Sequence, residues 1–158
     1  MPEGLGKAIL KKNVIAGFNI SCVGDEGNHS YIPSRSGVTL SDQIAKHILK
    51  HMDPDYISYT WLDRGSDERQ YCSPGVDLPI ACMTRSKYNE YPEYHTSLDN
   101  LGFVTPKGLA GGYLALLRAM EIFEKNKVFK TTTFCEPQLG KRGLYPSLSF
   151  TGSSTKIK

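Results

Sequence analysis

Residues 13–27, NVIAGFNISCVGDEG, carry a β-rich run into an abrupt polar turn. Phe18, Ile20 and Cys22 alternate against Asn19 and Ser21, so the pattern predicts a strand over about 13–23. Gly24-Asp25-Glu26-Gly27 stops it. A carboxylate just past the carboxyl end of a strand lies where open α/β sheets place their ligands, which makes Asp25 a candidate binding residue. The alternative is a turn aspartate between two glycines.

Upstream, residues 7–11 form a short amphipathic piece after Pro2-Glu3-Gly4-Leu5-Gly6. Downstream, Asn28 to Arg35 continue as a polar loop or short edge strand. Thr39-Leu40-Ser41-Asp42 has the form of a capping box, and Leu40, Ile44, Ala45, Ile48 and Leu49 follow at helical spacing, predicting a helix over about 40–51. His47 and His51 stand four apart on it without a third ligand nearby, which favours a solvated pair over a metal site. Tyr56 to Leu62 and Leu78 to Met83 read as two more strands. Thr105-Pro106 supplies an N-cap and a first-turn proline for a helix over about 106–125, with Leu109, Tyr113, Leu116, Leu117, Met120 and Phe123 on one face. Gly111-Gly112 inside that helix suggests close packing against a neighbour.

Two polar stretches interrupt this order. Residues 65–70, GSDERQ, lie between predicted strands, and long polar loops in such places are more often functional than idle. Arg69 there, with Arg85 after the next strand, suits anion recognition because guanidinium binds carboxylates bidentately. The alternative is a salt bridge to Asp67 or Glu68. Residues 88–101, YNEYPEYHTSLDNL, show neither helical nor strand period and set His95 among Glu90, Glu93, Asp99 and three tyrosines.

The chain has 158 residues, 39% hydrophobic and 22% charged, which suits a domain with a real core. Its net charge of +3 comes without a basic block, so a nucleic-acid footprint is not indicated. No apolar run approaches a membrane span and no leader pattern opens the chain, so a cytoplasmic location is expected. Cys22, Cys72, Cys82 and Cys135 form no CxxC pair and read as reduced thiols.

The run GSDERQYCSPGVDLPIACMTRSKYNEYPEYHTSLDN, followed by CEPQLGKRGLYP, resembles the C-terminal half of bacterial aminopeptidase-like proteins of the zinc exopeptidase superfamily, which includes leucyl aminopeptidases and glutamate carboxypeptidases. The resemblance extends from Pro2-Glu3 to about Pro146. It implies an α/β fold, a three-layer sandwich with a mixed central sheet, here incomplete, over residues 1–146, with 147–158 as a flexible tail. It also implies zinc. Carried onto this sequence, the family's strand-end metal aspartate falls at Asp25 and its late-loop metal histidine at His95. Glu3 corresponds to a glutamate of the family's segment and is the candidate catalytic base. Arg69, Arg85 and Tyr94 would line the substrate side.

The family's early histidine and bridging aspartate have no counterpart here, and a winged-helix part is expected to be missing as well. The resemblance therefore implies a partial zinc-dependent hydrolase of peptide or amide bonds, acting on a peptide or aminoacyl small molecule and inactive without its N-terminal half. The rival reading is a non-catalytic binding module tied to surface-polysaccharide biosynthesis. Neither nucleic acid nor membrane is an expected partner, whereas self-association through an unpaired sheet edge is.

Overall fold

The computed structural model describes residues 5–132, 134–135 and 138–144. They fall into two compact units, one ending at Asn126 and one starting at Lys127.

In the first unit, α1 (Leu5–Asn13) precedes β1 (Gly17–Ile20), β2 (Ser30–Ile32), α2 (Leu40–Met52), β3 (Ile57–Ser58), α3 (Glu68–Tyr71), β4 (Ile80–Thr84) and α4 (Pro106–Lys125). The strands form one mixed sheet in the order β1-β4-β2-β3. β1 runs parallel to β4 with Gly17 opposite Ile80, β2 runs antiparallel to β4, and β3 runs parallel to β2. The protein is therefore α/β with helices on a four-stranded mixed sheet.

Several elements follow directly from local chemistry. Thr39 caps α2 as a complete capping box, its side chain accepting from Asp42 N–H while the Asp42 carboxylate accepts from Thr39 N–H at 2.8 Å. Thr105 caps α4 by accepting from Gly108 N–H at 3.0 Å, with Pro106 in the first turn.

The strands are shorter than their patterns imply. Residue 13 belongs to α1, whose Asn13 side chain donates back to the Ile9 carbonyl at 2.8 Å, so the strand expected from 13 begins only at Gly17. The strand expected over 56–62 shrinks to two residues because Thr60 accepts from Leu62 N–H and starts a 3-10 turn, Trp61–Asp63. The segment expected as loop or edge supplies β2, which is interior and fully buried.

Alternation sorts the core onto the two faces of the sheet. Tyr31, Ala81 and Met83 meet Ile44, Ala45, Ile48 and Leu49 of α2 and Ala119 of α4. Ile32 and Cys82 point the other way, to Tyr88, with Cys22, Tyr59 and Tyr94 around them.

α4 buries a different face from the one its large residues mark. Gly108, Gly112, Ala115 and Ala119 are inside, while Leu109, Tyr113, Leu117 and Met120 are exposed. The cause is backbone contact: a Cβ at Gly108 would stand 2.0 Å from the Gly24 carbonyl oxygen, and one at Gly112 would stand 2.5 Å from that of Val23. Small residues let the helix press on the loop that follows β1, while of the bulky stripe only Leu116 and Phe123 pack against the core. No helix among the described residues is long and apolar enough to cross a membrane.

Candidate functional site

Because β1 and β4 are parallel neighbours, the loops leaving their carboxyl ends emerge side by side. Arg85 N–H donates to the Cys22 carbonyl at 2.8 Å and carries the β1–β4 pairing into the loops. Between these loops lies Asp25, 3% exposed. Its Oδ1 accepts from Gly27 N–H at 2.8 Å and from the Ser86 hydroxyl at 2.6 Å, and its Oδ2 from Ser86 N–H at 3.1 Å. The strand-end aspartate thus ties the β4 loop to its own.

Arg85 sits directly behind this tie. Its Nε donates to the Asp25 carbonyl at 3.0 Å, and its Nη1 lies 3.2 Å from each ring nitrogen of His29. A Cβ on Gly111 would meet Nη1 at 2.9 Å, so α4 confines the guanidinium from the other side. His29, 5% exposed, is held in turn by Asp53 at the end of α2, with Nδ1 2.9 Å and the backbone N 2.8 Å from Oδ2. Burial raises the Asp53 pKa, but these two hydrogen bonds from His29 outweigh it and leave the carboxyl below its ordinary range. Arg85 thus braces the Asp25 turn from behind, its guanidinium engaged by the Asp25 carbonyl and the His29 ring.

The His95 loop is a succession of tight turns, with Tyr94 N–H donating to Tyr91 O, Thr96 N–H to Glu93 O and Asp99 N–H to Thr96 O. Tyr91 stacks on Phe103 at 5.0 Å between centroids and meets Tyr94 edge-on at 5.7 Å. Burial raises the Tyr91 pKa first, helped by a hydrogen bond to Cys22 and by Asp99 and Asp25 nearby. These aromatics join the loop to the Cys22 turn. His95 itself is exposed, stacked on Tyr94 at 4.0 Å, and has φ +58°. Cys22 and Asn89, also in these two loops, are left-handed at +48° and +65°. Non-glycine residues adopt this conformation where surrounding structure imposes it, commonly at binding sites.

The remaining sequence candidates separate from this cluster. Arg69 is exposed on α3, its Nε 3.3 Å from the Ser66 carbonyl. Neither of the ion pairs weighed for it forms, because Glu68 turns inward to zero exposure. There Glu68 accepts from Tyr88 OH at 2.6 Å, Asn19 Nδ2 at 2.7 Å, Gly65 N–H at 2.8 Å and Ser66 N–H at 3.0 Å. Burial pushes its pKa up, but these donors outweigh that and hold it below the ordinary value. Glu3 lies outside the described residues. His47 and His51 touch edge-to-face at 4.8 Å, and both are exposed.

Sequence reasoning missed Ser86, His29 and Tyr91. Only the position of Ser86 just past the end of a strand, as Asp25 stands past β1, offered a signal. Carboxylate and imidazole are zinc-type donors, and Asp25 and His95 would be two members of a set that the described residues do not complete. Both oxygens of Asp25 are engaged by its own loops, and no group of three or more His, Cys, Asp or Glu among the described residues is placed to share a metal.

Comparison with known proteins adds the following. Residues 127–158 match a winged helix-turn-helix profile, so the winged-helix part expected to be missing is represented here. A Clostridium acetobutylicum protein, provisionally named as a polysaccharide biosynthesis protein with an aminopeptidase-like domain, is 39% identical over 135 residues, covering 85% of this chain and 31% of that protein. A crystal structure described provisionally as a peptidase from the same organism is 38% identical with a TM-score of 0.72, covering 84% of this chain and 31% of that one. The chain thus spans about a third of the length of these relatives. Residues 6–126 match the profile of a domain of unknown function, DUF4910, and the chain belongs to that family.

Proposed function

We propose that this chain is the C-terminal part of an aminopeptidase-like hydrolase of peptide or amide bonds, of the zinc exopeptidase type. The observation that carries the reading is that the loop holding Asp25 and the loop holding His95, which follow two adjacent parallel strands, come together where Tyr91 bonds Cys22 within reach of the Asp25 charge. The peptidase and aminopeptidase-like names of the relatives support it. In this reading the β1 and β4 loops form one wall of the substrate site. Arg85 and Ser86 fix the Asp25 turn, while Tyr91 and Tyr94 hold the His95 loop against it. Zinc, when bound in the complete enzyme, would supply Lewis acidity and an acidified water. Asp25 and His95 are the donors offered from this side, and the rest of the set would come from outside the described residues.

The test is a chimera in which residues 6–126 replace the matching stretch of the Clostridium relative. Release of amino acid from aminoacyl amides should require zinc and should fall at least ~100-fold in His95→Ala, the scale of losing a metal-site group. Turnover unchanged by His95→Ala would sink the reading. An inert chimera that also takes up no zinc would favour the binding module suggested by the relative's polysaccharide-biosynthesis name.

A further inference from the structure

Helix α2 sorts its side chains by period. Ile44, Ala45, Ile48 and Leu49 are buried, whereas Gln43, Lys46, His47, Lys50 and His51 form the exposed face. His47 and His51 stand one turn apart on that face, on a backbone fixed by the capping box at Thr39 and by the core beneath. Their ring centroids are 4.8 Å apart, with the planes at 68°. Apart from this contact, neither ring has a hydrogen bond or ion pair among the described residues. The ring nitrogens of two adjacent imidazoles are therefore open to a ligand.

The four-residue spacing alone fits a solvated pair, and it is the placement of the rings that points to a metal. Two imidazoles bound to adjacent positions of one ion, each nitrogen about 2.0 Å from it and each ring centre about 1.1 Å further out, put their centroids about 4.5 Å apart at a right angle and about 5.1 Å apart at a tetrahedral one. The observed 4.8 Å lies between these limits, so rotation of the rings on a fixed helix suffices to close a chelate. Part of the flanking positive charge is drawn aside, since Lys46 donates to the Gly37 carbonyl at 3.2 Å and lies 5.7 Å from the centre of the Tyr31 ring. His51 stands in the last turn, where the helix dipole favours a cation. We infer that His47 and His51 form a surface copper(II) site, with water completing a tetragonal shell. Copper heads the affinity order of divalent first-row metals for nitrogen donors. Zinc draws on three or four strong donors, and this pair beside Lys46 and Lys50 brings no negative charge, so zinc is held far more weakly here. The site shares no residue with the Asp25 cluster and stands apart from the hydrolase reading.

The experiment is a copper(II) titration of the full chain carrying Cys135→Ser, which removes an exposed thiol as a reductant of the metal. Binding is followed by electron paramagnetic resonance at about pH 7.5, where imidazole is neutral. One copper should bind per chain, with hyperfine splitting from two nitrogen donors. His47→Ala and His51→Ala should each weaken binding at least ~10-fold, because the second imidazole is no longer held at high effective concentration. Alanine suits a helix, and thermal unfolding by circular dichroism should show both variants folding as the parent does. Lys50→His/His51→Lys keeps the composition but turns the second imidazole about 100° round the helix, and it should bind no better than the alanine variants. His95→Ala should bind copper as the parent does, and an about tenfold excess of zinc should leave the copper signal in place. Binding unaffected by either alanine variant, full binding by the exchanged variant, loss of binding in His95→Ala, or displacement by zinc would each overturn the inference.

Discussion

The Ser86 hydroxyl donates to Asp25 Oδ1 at 2.6 Å across a sequence separation of 61 residues, the shortest of the bonds that close the β4 loop onto the β1 loop. A hydrogen bond to a buried carboxylate contributes about 1.5–3 kcal/mol. Ser86→Ala should therefore lower unfolding stability by that amount in urea titrations, with the backbone donor of residue 86 still in place. A loss below about 0.5 kcal/mol would show that the two loops are held together by other means.

Glu68 makes stability depend on pH in a definite direction. Its folded pKa is depressed, so its contribution is fully present above the ordinary glutamate value of about 4.3 and is lost as pH falls through the lower folded value. Stability of the parent should decline between about pH 5 and pH 3. Glu68→Gln should be less stable at neutral pH by roughly 1–3 kcal/mol and decline less steeply over the acid range, since Asp42 and Asp53 then supply the remaining slope. Equal acid slopes for parent and variant would contradict the assignment.

Two glycine substitutions separate helix propensity from contact. Alanine for glycine favours a helix by about 1 kcal/mol, and at Gly6, where an added Cβ meets nothing within 4 Å, some of that gain should appear. At Gly112 the same methyl would stand 2.5 Å from a backbone oxygen, and the overpacking should outweigh propensity for a net loss of roughly 1–2 kcal/mol. Thermal melts of Gly6→Ala and Gly112→Ala moving in the same direction would refute the close-packed α4 interface.

The apolar stripe of α4 and the edge of β1 leave surface that a longer relative has chain to cover. Leu109, Tyr113 and Met120 are each about half exposed or more, and an apolar groove lined by Phe18, Ile20, Leu116, Met120 and Phe123 separates α4 from β1. Size-exclusion chromatography with light scattering should show self-association at micromolar concentrations, reduced by Tyr113→Lys/Met120→Lys. A sharp parent monomer would mean this face is tolerated in water and would favour the binding-module reading.

What the sequence disclosed followed the range of the interactions involved. The capping residues Thr39 and Thr105 act on groups three positions away, so α2 and α4 were legible to within a residue. Asp25 was legible because its place after a strand is a local pattern. The buried face of α4 was legible only in part: Gly111-Gly112 signalled close packing, and Gly108 and Gly112 do press on the backbone of residues 23–25, but Ala115 and Ala119 stand out little beside the bulkier stripe. The roles of Arg85, Ser86 and His29 depend on partners 24 to 61 residues away, which only the sheet brings together. Val14 and Ile15 extended an apparent strand because an apolar run looks alike at a helix end and in a sheet.

If Asp25 and His95 are donors of one incomplete zinc site, calorimetric titration of the chain with zinc will register both of them. Two donors, one already hydrogen-bonded within its loops, should bind far more weakly than the three of a catalytic site. Weak binding that disappears in His95→Ala, with no measurable aminoacyl hydrolysis by the chain alone, is the expected result. Zinc bound as well by His95→Ala as by the parent would contradict it.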